Sequence, residues 1–172
     1  FSIAQTHTNL FALVGAPGGS NGAGSVLAYY KDPLNDYQFN KTLALETSDT
    51  GSFGNMLSFG DSTWAVAGAN TSMSGTGYAA VIYRASGTNT AAIAQVLVPP
   101  DQNFAAIGFG TSGVVSADEN WMYIGAPDAN CVYAYTKVNV ENQSIQYFTA
   151  NNALSYIYNS AIQIDYLHPA QL

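Results

Sequence analysis

The fold of this chain is decided by residues 109–127, which read FGTSGVVSADENWMYIGAP. This stretch opens on a Phe-Gly pair, continues into an uncharged apolar run that starts at Trp121, and closes on Gly-Ala-Pro. A Phe-Gly pair also stands at Phe53, 56 residues before Phe109. Recurrence at a fixed offset is the signature of a repeat architecture. We therefore interpret the chain as an array of repeats of about 55 residues.

Three kinds of position recur: a Phe-Gly pair, a Gly-Ala-Pro block, and an aromatic residue four positions before the glycine of each block. The motif residues are Phe53, Gly54, Phe109 and Gly110 for the pairs; Gly15, Ala16, Pro17, Gly68, Ala69, Gly125, Ala126 and Pro127 for the blocks; and Phe11, Trp64 and Trp121 for the aromatics. The second block has lost its proline and reads Asn70 there. Extending the register predicts that Phe1-Ser2 and Tyr158-Asn159 occupy the Phe-Gly position in the first and fourth repeats. The predicted units are residues 1–52, 53–108 and 109–157, with 158–172 opening a fourth.

Each repeat is predicted to form four short antiparallel strands. In the third repeat we place them at 111–116, 121–126, 131–138 and 144–149, because Gly, Asn, Asp, Ser and Pro interrupt the chain at strand-length intervals. The second strand of every repeat is apolar without alternation, which is typical of a strand buried on both faces. The sequence therefore predicts an all-β fold made of four-stranded antiparallel sheets that cover one another.

The Phe-Gly and Gly-Ala-Pro motifs at this spacing resemble the FG-GAP repeat of integrin-α-type propellers and related bacterial surface proteins. The resemblance covers nearly the whole chain and is fullest in the third repeat. It implies β-propeller blades and an adhesive or interaction role on a face of the ring. Many members hold calcium in a D-x-D-x-D-G loop, and this sequence has none; residues 116–120 offer too few spaced oxygens. We expect no calcium and no other cofactor.

The number of repeats poses a question of closure. Closed propellers have about four to eight blades, whereas this sequence supplies three and the start of a fourth. Three explanations stay open: a segment of a longer polypeptide, a ring or stack completed by other copies of the chain, or repeats that stack without closing.

The composition points away from several classes of protein. Only 9% of residues are charged and the net charge is −7, so we expect no nucleic-acid partner, because phosphate binding needs a basic surface. No apolar run approaches the roughly 20 residues of a membrane span. A surface wetted by Ser, Thr, Asn, Gln and Tyr favours an extracellular or cell-surface location. We expect Cys131, the single cysteine, to be a small buried hydrophobe.

Several motifs resemble catalytic sites but lack the required context. Residues 18–22 match G-x-S-x-G, and residues 108–113 match G-x-G-x-x-G, yet both are predicted to lie between strands, whereas each motif needs a following helix. His7 and His168 are predicted in turns, without a carboxylate cluster that would complete a zinc site. We predict no catalytic residue and no enzyme activity.

Three N-x-S/T sequons, at Asn40, Asn70 and Asn142, are candidate N-glycosylation sites on exposed positions. The preferred hypothesis is a non-catalytic extracellular module that serves adhesion or structural assembly at a cell surface, virion or filament, with protein or glycan partners. One alternative is a self-assembling filament subunit whose blades are completed between copies of the chain. The other is a fragment of a larger propeller enzyme or receptor.

Overall fold

The computed structural model describes residues 1–8, 10–19, 22–32, 34, 36–44, 51–71, 75–85, 89–100, 107–139, 146–150 and 156–157. These residues form antiparallel sheets in which successive strands of the chain are hydrogen-bonded neighbours. The first sheet contains β1 (Ser2–Gln5), β2 (Phe11–Ala16), β3 (Ser25–Lys31) and β4 (Tyr37–Leu43). The second contains β5 (Leu57–Phe59), β6 (Trp64–Ala69), β7 (Tyr78–Arg84) and β8 (Ala91–Leu97). The predicted all-β fold of four-stranded antiparallel sheets is confirmed.

The third sheet contains β9 (Ser112–Val115), β10 (Trp121–Ala126), β11 (Cys131–Asn139) and β12 (Gln146–Ala150). A further short strand, β13 (Tyr156–Ile157), also pairs with β11, beyond the segment that β12 covers. β12 and β13 therefore form one interrupted outer edge. Pro127–Ala129 form a 3₁₀ turn between β10 and β11. The predicted start of a fourth repeat at Tyr158-Asn159 lies outside the described residues.

The two faces of each sheet have different neighbours along the chain. We call the face that looks toward the next sheet the forward face, and the opposite one the rear face. The forward face of the first sheet, with Phe11 and Leu13, packs on the rear face of the second, with Ala67 and Ile82. The forward face of the second sheet packs on the rear face of the third in the same way.

The second sheet is consequently covered on both sides. All six residues of β6 are buried, as are the first five of β7. This explains the apolar, non-alternating sequence of these strands, because a strand with two covered faces has no side that must be wetted by water. The outer strand β8 alternates between buried and exposed residues instead.

The first two sheets share an irregularity in their outer ladder. The register between the third and fourth strands shifts between Ala28 and Tyr29 in the first sheet and between Val81 and Ile82 in the second. Ala28 and Val81 hold the same position relative to the Gly-Ala blocks at Gly15 and Gly68. The bulge therefore belongs to the repeat, where it increases the local twist of the outer strand.

The prediction that Phe1-Ser2 takes the Phe-Gly position is wrong. Ser2 pairs with Gly15 in the first sheet. In the second sheet Gly68 holds the position of Gly15, and its N–H donates to the carbonyl of Met56. Ser2 is therefore equivalent to Met56. The Phe-Gly phenylalanine stands three residues before Met56, whereas Phe1 stands one residue before Ser2. Phe1 is accordingly 92% exposed while Phe53 is 1% exposed, because its ring has no sheet junction to enter.

Candidate interaction surfaces

The Phe-Gly and Gly-Ala motifs of neighbouring repeats meet at one junction between the sheets. Phe53 buries its ring in the first interface and forms a parallel bridge with Gly24, which precedes β3. The Gly54 N–H donates to the carbonyl of Gly68 at 2.8 Å. A Cβ on Gly15 would overlap the Gly54 carbonyl oxygen. The pair that opens one repeat thus lies between the Gly-Ala blocks of its own repeat and of the preceding one.

The same junction is built again between the second and third sheets. Phe109 is fully buried and bridges Gly77, and the Gly110 N–H donates to the Gly125 carbonyl at 3.0 Å. A Cβ on Gly68 would overlap the Gly110 carbonyl oxygen. Gly54 and Gly110 have φ of 89° and 88°, a backbone conformation that glycine adopts without strain. Gly15 and Gly68 are therefore glycine because another backbone approaches them closely. Gly54 and Gly110 are glycine because their φ is positive.

A further pair of repeated glycines was missed in the sequence. Gly24 and Gly77, 53 residues apart, have φ of 82° and 83° and form the parallel bridges to Phe53 and Phe109. Asn130 holds the corresponding position in the third repeat with φ of 50°. Asparagine is among the few residues other than glycine that tolerate this region. Gly24 and Gly77 are separated by 53 residues, as Gly15 and Gly68 are. This equal spacing was the sequence signal that could have identified Gly24 and Gly77.

The aromatic before each block glycine begins the second strand and points to the forward face. Phe11 contacts Phe59 of the second sheet edge-on, with ring centroids 6.2 Å apart. Trp64 contacts Phe148 of the third sheet at 5.6 Å. Trp121 also lies on its forward face, stacked beside Tyr123 with an interplanar angle of 15°. All three aromatics are thus the first residue of the second strand of their sheet.

The remaining block residues end the second strand. Ala69 and Ala126 are fully buried and Ala16 is half-buried. Pro17 lies in the turn that follows β2, and Pro127 begins the 3₁₀ turn, where its missing N–H costs no hydrogen bond.

One rim of the sheets is held by a carboxylate from the third repeat. Glu119, in the turn between β9 and β10, reaches the turn between β5 and β6. Its Oε1 accepts hydrogen bonds from three consecutive backbone N–H groups, those of Ser62 (2.8 Å), Thr63 (2.7 Å) and Trp64 (3.1 Å). Glu119 is only 9% exposed and has φ of 57°. The acidic residue carries no recognisable motif in the sequence, so this role was not predicted.

A side-chain amide joins the outer strands of the second and third sheets. Gln95 of β8 donates through Nε2 to the Phe148 carbonyl and accepts the Phe148 N–H through Oε1, both at 2.8 Å. Nearby, the Tyr135 hydroxyl donates to the Val98 carbonyl at 2.8 Å, and burial raises the pKa of Tyr135 well above its ordinary value. Polar groups at this edge are thus paired across the junction, as buried groups require.

Arg84 places a cation at the first junction. It lies on the rear face of the second sheet with its guanidinium carbon 5.4 Å from the centroid of the Phe11 ring. Its Nη1 donates to the Ser62 carbonyl at 3.2 Å. A guanidinium above an aromatic ring is attracted by the electron-rich face of that ring.

The motifs that resemble catalytic sites lie in ordinary connections. Gly18 lies in the turn after β2, and Gly108 and Gly110 precede a strand rather than a helix. His7 is exposed in the β1–β2 turn, as predicted; His168 falls outside the described part of the chain. Within that part, no group of three or more His, Cys, Asp or Glu residues is placed to hold a metal ion.

The turn at residues 116–120 is held by local hydrogen bonds. Asp118 accepts them from the Ser116 hydroxyl and from the backbone and side chain of Asn120. These bonds, first of all that from Ser116, lower the pKa of the Asp118 carboxyl. The oxygens of the carboxylate are therefore directed at the turn itself.

Two of the three sequon asparagines, Asn40 and Asn70, lie within the described residues, and neither is fully exposed. Asn40 is half-buried in β4. Asn70 is half-buried and donates through Nδ2 to the Thr111 hydroxyl at 3.3 Å. Both asparagines were expected to be exposed, and both are partly covered in the folded chain. Asn142 lies outside the described residues.

No described helix has the length and hydropathy that crossing a membrane requires. A scan against protein-family models found no match to the sequence, and a search of curated proteins found no relative.

Proposed function

We propose that the three sheets are successive blades of a β-propeller of the FG-GAP type, and that the chain is a non-catalytic extracellular module for adhesion or structural assembly. The observation that carries this proposal is the duplicated junction, in which Phe53-Gly54 and Phe109-Gly110 make the same contacts with neighbouring Gly-Ala blocks. Because the junction repeats with the same contacts, one rotation and translation relates each sheet to the next. Repeating that operation is how a propeller is generated.

The arrangement of the strands supports a radial array. The first strands of neighbouring sheets contact one another, β1 with β5 and β5 with β9. The outer strands β8 and β12 are joined by the long Gln95 side chain. Contact between the first strands, with a side chain linking the outer strands, supports our proposal that the sheets are arranged as blades around an axis.

The chemistry of the surface supports an interaction role. Tyr37 and Tyr83 are exposed, and only 9% of residues are charged. Rigid amphipathic rings beside small polar neighbours are the chemistry that adaptable binding surfaces use. The low charge of the chain favours contact through shape, hydrogen bonds and aromatic rings. Protein and glycan partners fit this chemistry best.

An experimental structure of the full natural polypeptide tests the propeller. We expect β1, β5 and β9 to line a common axis. Sheets that stack without a common axis would show that the fold is a different repeat architecture.

The extracellular role is tested on source cells with an antibody raised against this chain. We expect staining of unpermeabilised cells and loss of the epitope after brief protease treatment of the intact cells. A cytosolic protein with unrelated surface chemistry, detected in parallel, reports on cell integrity. Staining that requires permeabilisation would contradict the proposed location and with it an adhesive role.

A second candidate, a self-assembling subunit, is favoured by one specific observation. The rear face of the first sheet is apolar and exposed, with Ile3 at 62% and Phe39 at 56%. This face is the subject of the following inference.

A further inference from the structure

The rear face of the first sheet has the composition of a covered face. Five apolar side chains on this face come from all four strands: Ile3, Val14, Leu27, Tyr29 and Phe39. Tyr29 and Phe39 form an edge-on ring pair with centroids 5.7 Å apart. Contiguous apolar surface of this kind marks an interaction site on a folded protein.

The counterpart of this face in the second sheet is buried. The positions equivalent to the five residues above are Leu57, Ala67, Ala80, Ile82 and Ile93, as the strand registers show. Ala67, Ala80 and Ile82 are fully buried, and Leu57 and Ile93 pack against the same core. What buries them is the forward face of the preceding sheet. The rear face of the first sheet is thus one half of a junction that the molecule shows twice in complete form.

The forward face of the third sheet is the other half. Trp121, Tyr123 and Gly125 hold the positions of Trp64, Val66 and Gly68, which cover the third sheet in the internal junction. On this face Val114 is 50% exposed and Val132 is 40% exposed. Ser112 pairs with Gly125 as Ser2 pairs with Gly15, and the Ser2 hydroxyl donates to the carbonyl of the next Phe-Gly pair, at Gly54.

One half also offers a cation where the other offers an aromatic ring. Lys31 holds on the rear face of the first sheet the position that Arg84 holds on the rear face of the second. Arg84 lies over Phe11, and Trp121 is the equivalent of Phe11 on the third sheet. A copy docked in the internal geometry would therefore bring the Lys31 ammonium over Trp121, the side chain that binds cations best among the aromatics.

We propose that the rear face of the first sheet docks on the forward face of the third sheet of a second copy, in the geometry of the internal junctions. The inference rests on the repeat architecture proposed above. The occupant is a second copy because both halves are present on one chain, on opposite ends of the array, and match residue by residue. Such an interface is head-to-tail, so it propagates into a ring or a filament rather than a closed dimer.

The test is the association state of the 172-residue chain, measured by sedimentation velocity over a range of concentrations. One variant blocks the rear face, Ile3→Glu with Phe39→Glu. A second blocks the forward face, Val114→Glu with Val132→Glu. Val96→Glu is the matched control, because Val96 is 44% exposed on the second sheet, which already has both neighbours. All substituted side chains are exposed, and circular dichroism checks that each variant is folded.

We expect the unaltered chain and Val96→Glu to form species that grow with concentration. Each blocked variant alone should be monomeric, with association weakened at least about 100-fold because a buried carboxylate lacks a partner. A mixture of the two blocked variants should form a 1:1 dimer, since each retains the half that the other has lost.

Two results would overturn the inference. A monomeric unaltered chain at about 100 µM, well above the Kd of specific complexes, would show that the faces do not bind each other. Blocked variants that still self-associate, or that fail to pair when mixed, would show a different interface. Neither result touches the radial arrangement of blades, which the experimental structure tests separately.

Discussion

The carboxylate of Glu119 lies 2.7 Å from the backbone nitrogen of Thr63, a residue 56 positions earlier in the turn between β5 and β6. The same oxygen accepts the N–H groups of Ser62 and Trp64. One side chain therefore satisfies three donors in the turn of its neighbour, and it links two repeats at a rim where few side chains are buried. This contact has no equivalent in the repeat motif, because it depends on a single acidic residue of the third repeat.

Replacing Glu119 should destabilise the protein without altering the sheets. We expect Glu119→Ala to lower the free energy of unfolding by about 2–3 kcal/mol, because three N–H groups lose a charged acceptor, and Glu119→Gln by about half as much. Both variants keep a Cβ at a positive φ, so the backbone strain is unchanged. Urea unfolding followed by tryptophan fluorescence measures the difference. Asp61→Asn, which removes an exposed carboxylate near the same turn, is the control, and Glu119→Ala within about 0.5 kcal/mol of it would refute the link.

The block glycine of the second repeat should tolerate no side chain. Gly68→Ala places a methyl group onto the Gly110 carbonyl oxygen, and backbone on both sides must move to relieve it. We expect a loss of about 3 kcal/mol or more. Gly18→Ala is the control, since nothing lies within 4 Å of a Cβ there. Thermal unfolding of the two variants makes the comparison, and equal stabilities would mean that the junction is looser than the structure describes.

The repeat and its strands were accessible to sequence reasoning because they depend on patterns that recur. The second strand of the third repeat was predicted at 121–126 and is Trp121–Ala126; the third was predicted at 131–138 and is Cys131–Asn139. Continuous apolar runs between turn residues define such strands well.

What sequence reasoning missed depends on register and on contacts distant in the chain. The prediction that Phe1-Ser2 takes the Phe-Gly position failed because the spacing between motifs varies by a few residues. Strand pairing, in contrast, fixes the position of every residue in the sheet. Glu119 and Gln95 were missed because their partners are backbone groups of another repeat, which carry no sequence signal. The turn at Asn130 was not recognised because an asparagine adopts there the positive φ that a glycine has in the other two repeats.

The Gln95 amide should contribute as much as a buried backbone pair. Gln95→Leu leaves both the N–H and the carbonyl of Phe148 without their partner, so we expect a loss of about 2 kcal/mol. Gln38→Leu, at an exposed glutamine bonded to Asp32, should change stability by less than about 0.5 kcal/mol. Chemical denaturation measures the free energy of unfolding of both variants. Similar losses for Gln95→Leu and Gln38→Leu would contradict a structural role for Gln95.

The Asp118 turn predicts part of the acid sensitivity. Because its pKa is lower in the folded protein than in the unfolded chain, Asp118 stabilises the folded state above its unfolded pKa of about 3.9. That contribution is lost as pH falls through the lower, folded value. Asp118→Asn should therefore flatten the decline of stability below about pH 4. Unfolding free energies measured from pH 6 to pH 2 report this, with Asp36→Asn as an exposed control; an unchanged slope for Asp118→Asn would argue against the turn.

The thiol of Cys131 should be inert while the protein is folded. It is 8% exposed in the junction between the second and third sheets, and burial raises its pKa, so little thiolate forms at neutral pH and reagents reach it slowly. We expect alkylation by iodoacetamide at pH 8 to be at least about 100-fold slower than in urea, and its rate to keep rising beyond the ordinary thiol pKa of about 8.5. Intact-mass measurement over time follows the reaction, and Cys131→Ser shows that no other group is modified. A native rate within tenfold of that in urea would mean that this junction opens readily, and the two sheets would then have to be regarded as independent units.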